Sequence, residues 1–65
     1  MSTAPSFSAQ EKFLAADREV RQRIKVYARL MRRGRMTRER AEYETNIMRA
    51  IASDYHALTV KERLL

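Results

Sequence analysis

The chain has 65 residues, a formal net charge of +6 at neutral pH and no cysteine. A chain of this length buries only about 60% of the surface that its unfolded form exposes, so a core of its own gives marginal stability. The lack of cysteine excludes a disulfide and a thiolate metal site, and the single histidine, His56, cannot form a zinc site alone. We therefore expect no metal and no cofactor, and we expect stability to come from helix packing and self-association.

The start of the chain is rich in Ser, Thr, Ala and Pro, and residues 1–7 are predicted to form a disordered N-terminus. This segment has neither the basic region nor the apolar region of a secretory signal. No apolar run approaches the roughly 20 residues that are needed to cross a bilayer. We therefore expect a cytoplasmic protein that has no membrane partner.

The first predicted helix covers about residues 9–33. Ser8 and Glu11 have the spacing of a capping box, in which each side chain accepts a hydrogen bond from the other residue's backbone N–H. Apolar side chains then recur at spacings of three and four residues, which is typical of one face of a helix. This stripe consists of Phe13, Ala16, Val20, Ile24, Tyr27 and Met31, and its large side chains are assigned to the hairpin core.

A short turn is predicted after the first helix. Gly34, the only glycine, lies where a helix end favours a left-handed residue, and Thr37 is a candidate N-cap of a second helix. A loop of about three residues places two helices side by side and antiparallel. The sequence therefore predicts an all-α fold, a two-helix antiparallel hairpin.

The second predicted helix covers about residues 38–57. Its apolar stripe is Ala41, Ile47, Met48, Ile51, Tyr55 and Leu58, of which Met48, Ile51 and Tyr55 are assigned to the hairpin core. The hairpin domain is predicted to span residues 8–58. Residues 59–65 are expected to form a tail or a short helical turn capped by Thr59.

Glu44 falls inside the second stripe, where packing alone does not favour a charge. Counting outward from the turn places Glu44 close to Arg23 and Tyr27, either of which could satisfy its carboxylate. The same count places Phe13 near Tyr55. The sequence therefore predicts the register of the two helices as well as their direction.

Several spacings form a recognisable pattern: a V-Y step, a G-x-[ML]-[TS] turn, an alanine four residues later, and an M-x-A-I-x-x-D-Y ending. The matching positions are Val26, Tyr27, Gly34, Met36, Thr37, Ala41, Met48, Ala50, Ile51, Asp54 and Tyr55. The pattern resembles that of small uncharacterised proteins in bacterial and prophage genomes. This resemblance implies a helical hairpin and carries no known activity.

The turn alone is close to the pattern L-x-x-x-G-x-[IL]-[TS]-x-x-E-[FY], with Leu30, Gly34, Met36 and Thr37 at its first four named positions. Arg40 stands where the pattern has its acid, and the aromatic residue comes late, at Tyr43. The turn is similar to the short C-terminal oligomerisation hairpins known as SHOCT. That resemblance implies a hairpin that associates with itself.

Residues with catalytic chemistry are few. The run from position 53 to position 56 contains Ser, Asp, Tyr and His, but on a helix Asp54 and His56 point about 200° apart. These two side chains cannot hydrogen-bond each other, and a two-helix hairpin offers no deep pocket around them. We interpret His56 as a residue at a helix end, and we expect no enzyme activity.

Further apolar side chains flank the two stripes. Val26 and Leu30 lie beside the first stripe, and Tyr43, Ile47 and Ala50 lie beside the second. Two helices cannot cover both flanks, and exposed apolar flanks on a small chain indicate a protein partner. The simplest partner is a second copy, which closes a four-helix bundle with twofold symmetry. We therefore predict a homodimer that acts as a small interaction or adaptor module.

The basic charge is concentrated at the turn, because residues 29–40 contain six arginines and only one acid. Arg32 and Arg33 lie at the carbonyl end of the first helix, where a cation is favoured by the helix dipole. Arg38 and Arg40 lie at the unfavourable end of the second helix. Each has a glutamate four residues later, which is the weaker order for an ion pair. Helix stability alone therefore does not account for the last two.

Three interpretations of the arginine cluster stay open. It forms a solvated turn, it docks an acidic protein, or it makes weak contacts with the phosphate backbone of nucleic acid without reading sequence. The residues available for such contacts are Arg32, Arg33, Arg35, Arg38 and Arg40. An accessory nucleic-acid-binding protein is therefore the alternative function.

Overall fold

A computed structural model of the protein describes residues 6–64, which form two helices and no strand. Helix α1 is Ala9–Arg32 and helix α2 is Arg38–Leu64. Phe13, early in α1, contacts His56, late in α2, whereas Arg23, later in α1, contacts Glu44, early in α2. The helices are therefore antiparallel neighbours, and the predicted all-α hairpin is confirmed. The expected disorder of residues 1–5 lies outside the described residues.

The N-terminus of α1 is closed by the predicted capping box. The Ser8 hydroxyl accepts a hydrogen bond from the Glu11 backbone N–H at 3.1 Å. The Ser8 backbone N–H donates to the Glu11 carboxylate, also at 3.1 Å. Two backbone N–H groups that a helix leaves unpaired at its start are thereby satisfied.

The turn satisfies the backbone groups at both adjoining helix ends. Gly34 has φ +68° and its N–H donates to the Met31 carbonyl at 3.0 Å, while the Arg35 N–H donates to the Leu30 carbonyl at 2.9 Å. This pair of bonds is the Schellman motif. The Thr37 hydroxyl then accepts a hydrogen bond from the Arg40 N–H at 3.1 Å and caps α2. Both predicted turn residues are confirmed in their roles.

Helix α2 is longer than the predicted range of residues 38–57, because it continues without a break to Leu64. The prediction that Thr59 caps a separate turn is wrong. Thr59 lies in the interior of the α2 sequence and its side chain is buried. Its hydroxyl donates to the Tyr55 carbonyl, one turn earlier in the same helix, at 2.8 Å. No glycine or proline follows position 34 to end the helix. His56 accordingly lies within α2 and not at a helix end.

The core between the helices consists of small side chains at heptad spacing. The buried residues are Ala9, Ala16 and Val20 on α1, and Ala41, Thr45, Ala52 and Thr59 on α2. Phe13, Tyr27, Met48 and Tyr55 are partly buried along the same two lines. No large side chain within residues 6–64 is fully buried. The core is therefore one thin seam, which lets the helix backbones approach closely.

Three residues assigned to the core from sequence lie beside the seam. Ile24, Met31 and Ile51 keep 42%, 36% and 38% of their surface exposed, so the assignment is wrong for them. The buried line of α2 runs through alanines and threonines and passes one position from Ile51 and two from Ile47. A prediction that favours large side chains therefore assigns the wrong side of α2 to the core. Small residues are buried instead, because only they fit where the two helix backbones lie close together.

Candidate functional site

A chain of ion pairs crosses from α1 to α2 near the turn. Arg23 pairs with Glu19 at 3.4 Å and with Glu44 at 3.9 Å, and Glu44 pairs with Arg40 at 2.8 Å. The predicted proximity of Glu44 and Arg23 is confirmed. Pairs this close to solvent contribute about 0–1 kcal/mol each, so the chain of ion pairs shows the register of the two helices but adds little stability.

The Arg23 guanidinium stays charged in this setting. Partial burial alone lowers the pKa of Arg23, but the hydrogen bond to Glu19 and the nearby Tyr27 phenol outweigh it. The pKa of Arg23 is therefore raised above its ordinary value. A change of pH in the physiological range does not remove this positive charge.

The ion-pair chain also accounts for Arg40, one of the two arginines that helix stability alone does not explain. Arg40 makes its pair with Glu44 despite the weaker base-first order, and its guanidinium lies 5.9 Å from the Tyr43 ring centre. In the part of the chain that the structure describes, no acidic side chain pairs with the other members of the cluster. Those exposed members are Arg32, Arg33, Arg35 and Arg38.

One side of the hairpin carries five apolar side chains that we call the apolar face. Its members are Val26 and Leu30 on α1, and Ile47, Ile51 and Leu58 on α2. Arg23 precedes the first two by three and seven residues, and Glu44 precedes Ile47 and Ile51 by the same intervals. Residues at these intervals share one side of a helix, and Arg23 contacts Glu44, so both stripes lie on the same side of the hairpin.

The apolar face overlaps the predicted oligomer interface without coinciding with it. Of the predicted residues, Val26 and Ile47 are exposed at 39% and 42%, while Leu30 is partly buried. Tyr43 and Ala50 are also exposed but lie farther around α2, away from α1. Ile51 and Leu58, which sequence analysis placed in the core stripe, join the face instead. Ile51 follows Ile47 by four residues, and Leu58 follows Ile51 by seven. This helical spacing is the sequence signal that all three share one side of α2.

The opposite side of the hairpin holds an open groove of about 340 Å³. Ile24, Ala28 and Met31 line it from α1, and Arg38, Glu42 and Arg49 line it from α2. The groove floor includes the buried Ala41 and Thr45. This groove was not predicted from the sequence, although Arg38 and Arg49 are 11 residues apart, which is about three helical turns.

At the end of the hairpin away from the turn, which we call the open end, the two helices meet through contacts to aromatic rings. The Phe13 and His56 ring centres lie 4.9 Å apart at 55°, and the Lys12 ammonium lies 5.5 Å from the Tyr55 ring centre. His56 therefore has a packing contact. Within residues 6–64 no group of three His, Cys, Asp or Glu residues could hold a metal ion.

Neither helix within residues 6–64 combines the length and the apolar character that a membrane span needs. Comparisons with protein-family models, with curated proteins and with solved structures find no match to the chain. The resemblance to bacterial and prophage hairpin proteins stays a prediction. Function is therefore inferred from the apolar face, the groove and the arginines of the turn.

Proposed function

We propose that this chain is a small self-associating interaction or adaptor module of the cytoplasm, without catalytic activity, and that two copies pair through the apolar face. The observation that carries the proposal is the exposure of that face. Val26, Ile47, Ile51 and Leu58 each keep between 38% and 42% of their surface exposed, while the buried apolar residues of the described segment 6–64 are four alanines and one valine. These four branched apolar side chains thus lie beside the core and not in it.

The exposed area supports the same proposal. The chain exposes 5578 Å² in total, whereas a compact monomer of its mass exposes about 4,300 Å². Each partner in a standard interface buries roughly 800 Å². Pairing of two apolar faces about a twofold axis would give both copies a second layer and produce a four-helix bundle.

The test compares two isoleucines that have the same exposure on opposite sides of the hairpin. Ile47 on the apolar face and Ile24 in the groove are each 42% exposed. We expect wild type and Ile24→Glu to sediment with about twice the chain mass, and Ile47→Glu to sediment as a monomer. The mass is measured at two salt concentrations, because an apolar interface loses little affinity in salt.

Two outcomes would contradict self-association through this face. One is a wild-type protein that stays monomeric at high micromolar concentration, with a melting temperature independent of dilution. The other is a dimer that Ile24→Glu dissociates and Ile47→Glu does not. Helical circular dichroism of each variant separates loss of pairing from loss of the fold.

The alternative function, contact with a nucleic-acid backbone, is favoured by the arginines of the turn. Arg32, Arg33, Arg35 and Arg38 are exposed, and none of them pairs with an acid within residues 6–64. Such cations neutralise phosphates without reading sequence. One short turn per copy offers few contacts, so we expect weak and salt-sensitive binding.

The test of this alternative replaces Arg33, Arg35 and Arg38 together by serine and leaves the paired Arg40 unchanged. Duplex DNA should bind wild type with a log–log salt slope near −0.9 per phosphate contact, and the triple variant with a flatter slope. Serine at Arg18, Lys25 and Arg63 removes the same charge elsewhere and is the matched control. Absence of binding by wild type at low salt would rule out the nucleic-acid function.

A further inference from the structure

We propose that the groove opposite the apolar face docks an amphipathic helix of a partner protein, with acidic side chains spaced three turns apart. The groove runs between α1 and α2 and offers the apolar side chains of Ile24, Ala28 and Met31. Its α2 wall carries Arg38 and Arg49. An apolar floor with cationic side chains on one wall is complementary to a helix that has an apolar stripe and an acidic edge.

The spacing of the two cations defines the acidic edge. Arg38 and Arg49 are 11 residues apart on α2, which is about three turns and about 16 Å. Neither arginine pairs with an acid within the described residues. A helix lying along the groove meets both cations if it carries two acids that are also 11 residues apart. Glu42 lies between the two arginines and favours a neutral or basic residue at the level that faces it.

The shape of the groove favours a helix over a small molecule. Sites for small molecules enclose most of the ligand surface, whereas this groove is open along its length. Two adjacent parallel ridges with a channel between them are the surface into which a third helix packs. The occupant is therefore a helical segment.

A second copy of this chain does not supply the required pattern. Its acidic residues are at positions 11, 17, 19, 39, 42, 44, 54 and 62, and no two of them are 11 residues apart. The partner in the groove is accordingly a different protein. Because the groove and the apolar face lie on opposite sides of the hairpin, occupation of the groove does not depend on self-association.

The probe is a fluorescein-labelled helical peptide of about 16 residues with leucines at helical spacing and two glutamates 11 positions apart. Glutamines occupy the positions that face Glu42 in either orientation. A second peptide has lysine in place of both glutamates. Fluorescence anisotropy with the full chain should show the glutamate peptide binding at least tenfold more tightly than the lysine peptide.

Charge reversal in the groove tests the assignment of the two cations. In the Arg38→Glu, Arg49→Glu variant we expect the preference to reverse, so that the lysine peptide binds more tightly. The matched control is Arg18→Glu, Arg63→Glu, which changes the net charge equally and lies outside the groove lining. This control should keep the wild-type preference for the glutamate peptide.

Three results would overturn the proposal. Wild type binds neither peptide, wild type binds both peptides equally, or the control variant reverses the preference as strongly as the groove variant. Amide chemical shifts provide an independent readout of the location. Shifts of Ala28 and Thr45 support the groove, whereas shifts confined to Leu30 and Ile51 would place the peptide on the apolar face and contradict the proposal.

Discussion

At the turn, Gly34 and Arg35 donate backbone hydrogen bonds to the end of α1, and Thr37 caps α2 within the next three residues. At the open end, the helices meet through the Phe13 and His56 rings and through the Lys12 ammonium beside the Tyr55 ring. The turn is closed by bonds between residues three to five positions apart. The open end is closed by side chains more than forty positions apart.

The turn is therefore stabilised by local backbone hydrogen bonds, and the open end by side-chain packing between residues distant in sequence. A turn of local hydrogen bonds forms with little loss of chain entropy, because the chain closes only a short loop. The open end acquires its contacts only when both helices are complete and correctly aligned. We therefore expect substitutions at the open end to act through packing, and substitutions at the turn to act through backbone conformation.

The largest expected effect is at the open end. Phe13→Ala removes the aromatic contact with His56, and we expect it to lower the free energy of unfolding by about 1–3 kcal/mol. Phe7→Ala is the control, because Phe7 is 58% exposed and precedes α1. Thermal unfolding at one chain concentration measures both. Equal stability of the two variants would mean that the open end contributes no packing energy.

A smaller effect is expected at Gly34, where the strain is confined to the backbone. A Cβ at position 34 would meet no atom within 4 Å, so a side chain there is opposed only by the positive φ. Gly34→Ala should cost about 1 kcal/mol, and Gly34→Asn should cost less because asparagine tolerates this conformation. Denaturant unfolding of both variants gives the comparison. The turn would not depend on the left-handed conformation if alanine were as stable as glycine.

The smallest expected effect is at the end of α2. Residues 61–64 are exposed and extend beyond the level of Ala9, where α1 begins. A chain shortened after Val60 should unfold within about 0.5 kcal/mol of wild type. A chain shortened after Ala57 also loses the buried Thr59 and should be less stable. If the first shortening costs as much as the second, the last turn of α2 has a packing role.

The turn was predictable from sequence because its signals are local. A single glycine, a threonine three residues later and a short loop define the motif, and the count from this turn correctly placed Glu44 beside Arg23. The end of α2 was not predictable in the same way. Thr59 has the sequence context of a cap, and only tertiary structure shows its hydroxyl bonded back into the same helix.

The residues of the core seam, the apolar face and the groove were predictable only in part. A stripe of large apolar residues on α2 was visible, but which edge of that stripe faces α1 depends on how closely the backbones approach. The side of α2 that faces α1 is the side with the small buried residues Thr45 and Ala52. A search for stripes of large apolar side chains passes over such small residues. The pairing of Arg40 and the groove beside Arg49 likewise depend on side-chain positions across two helices.

The antiparallel course of the two helices also determines where an attachment would be held. Ser8 and Thr59 lie at the same end of the hairpin, and α1 separates that end from the turn by 24 residues, or about 36 Å. A fluorescent protein or a surface tether attached at Ser8 or at Thr59 is therefore held far from Gly34. Immobilised at either position, the hairpin presents its arginine turn away from the surface.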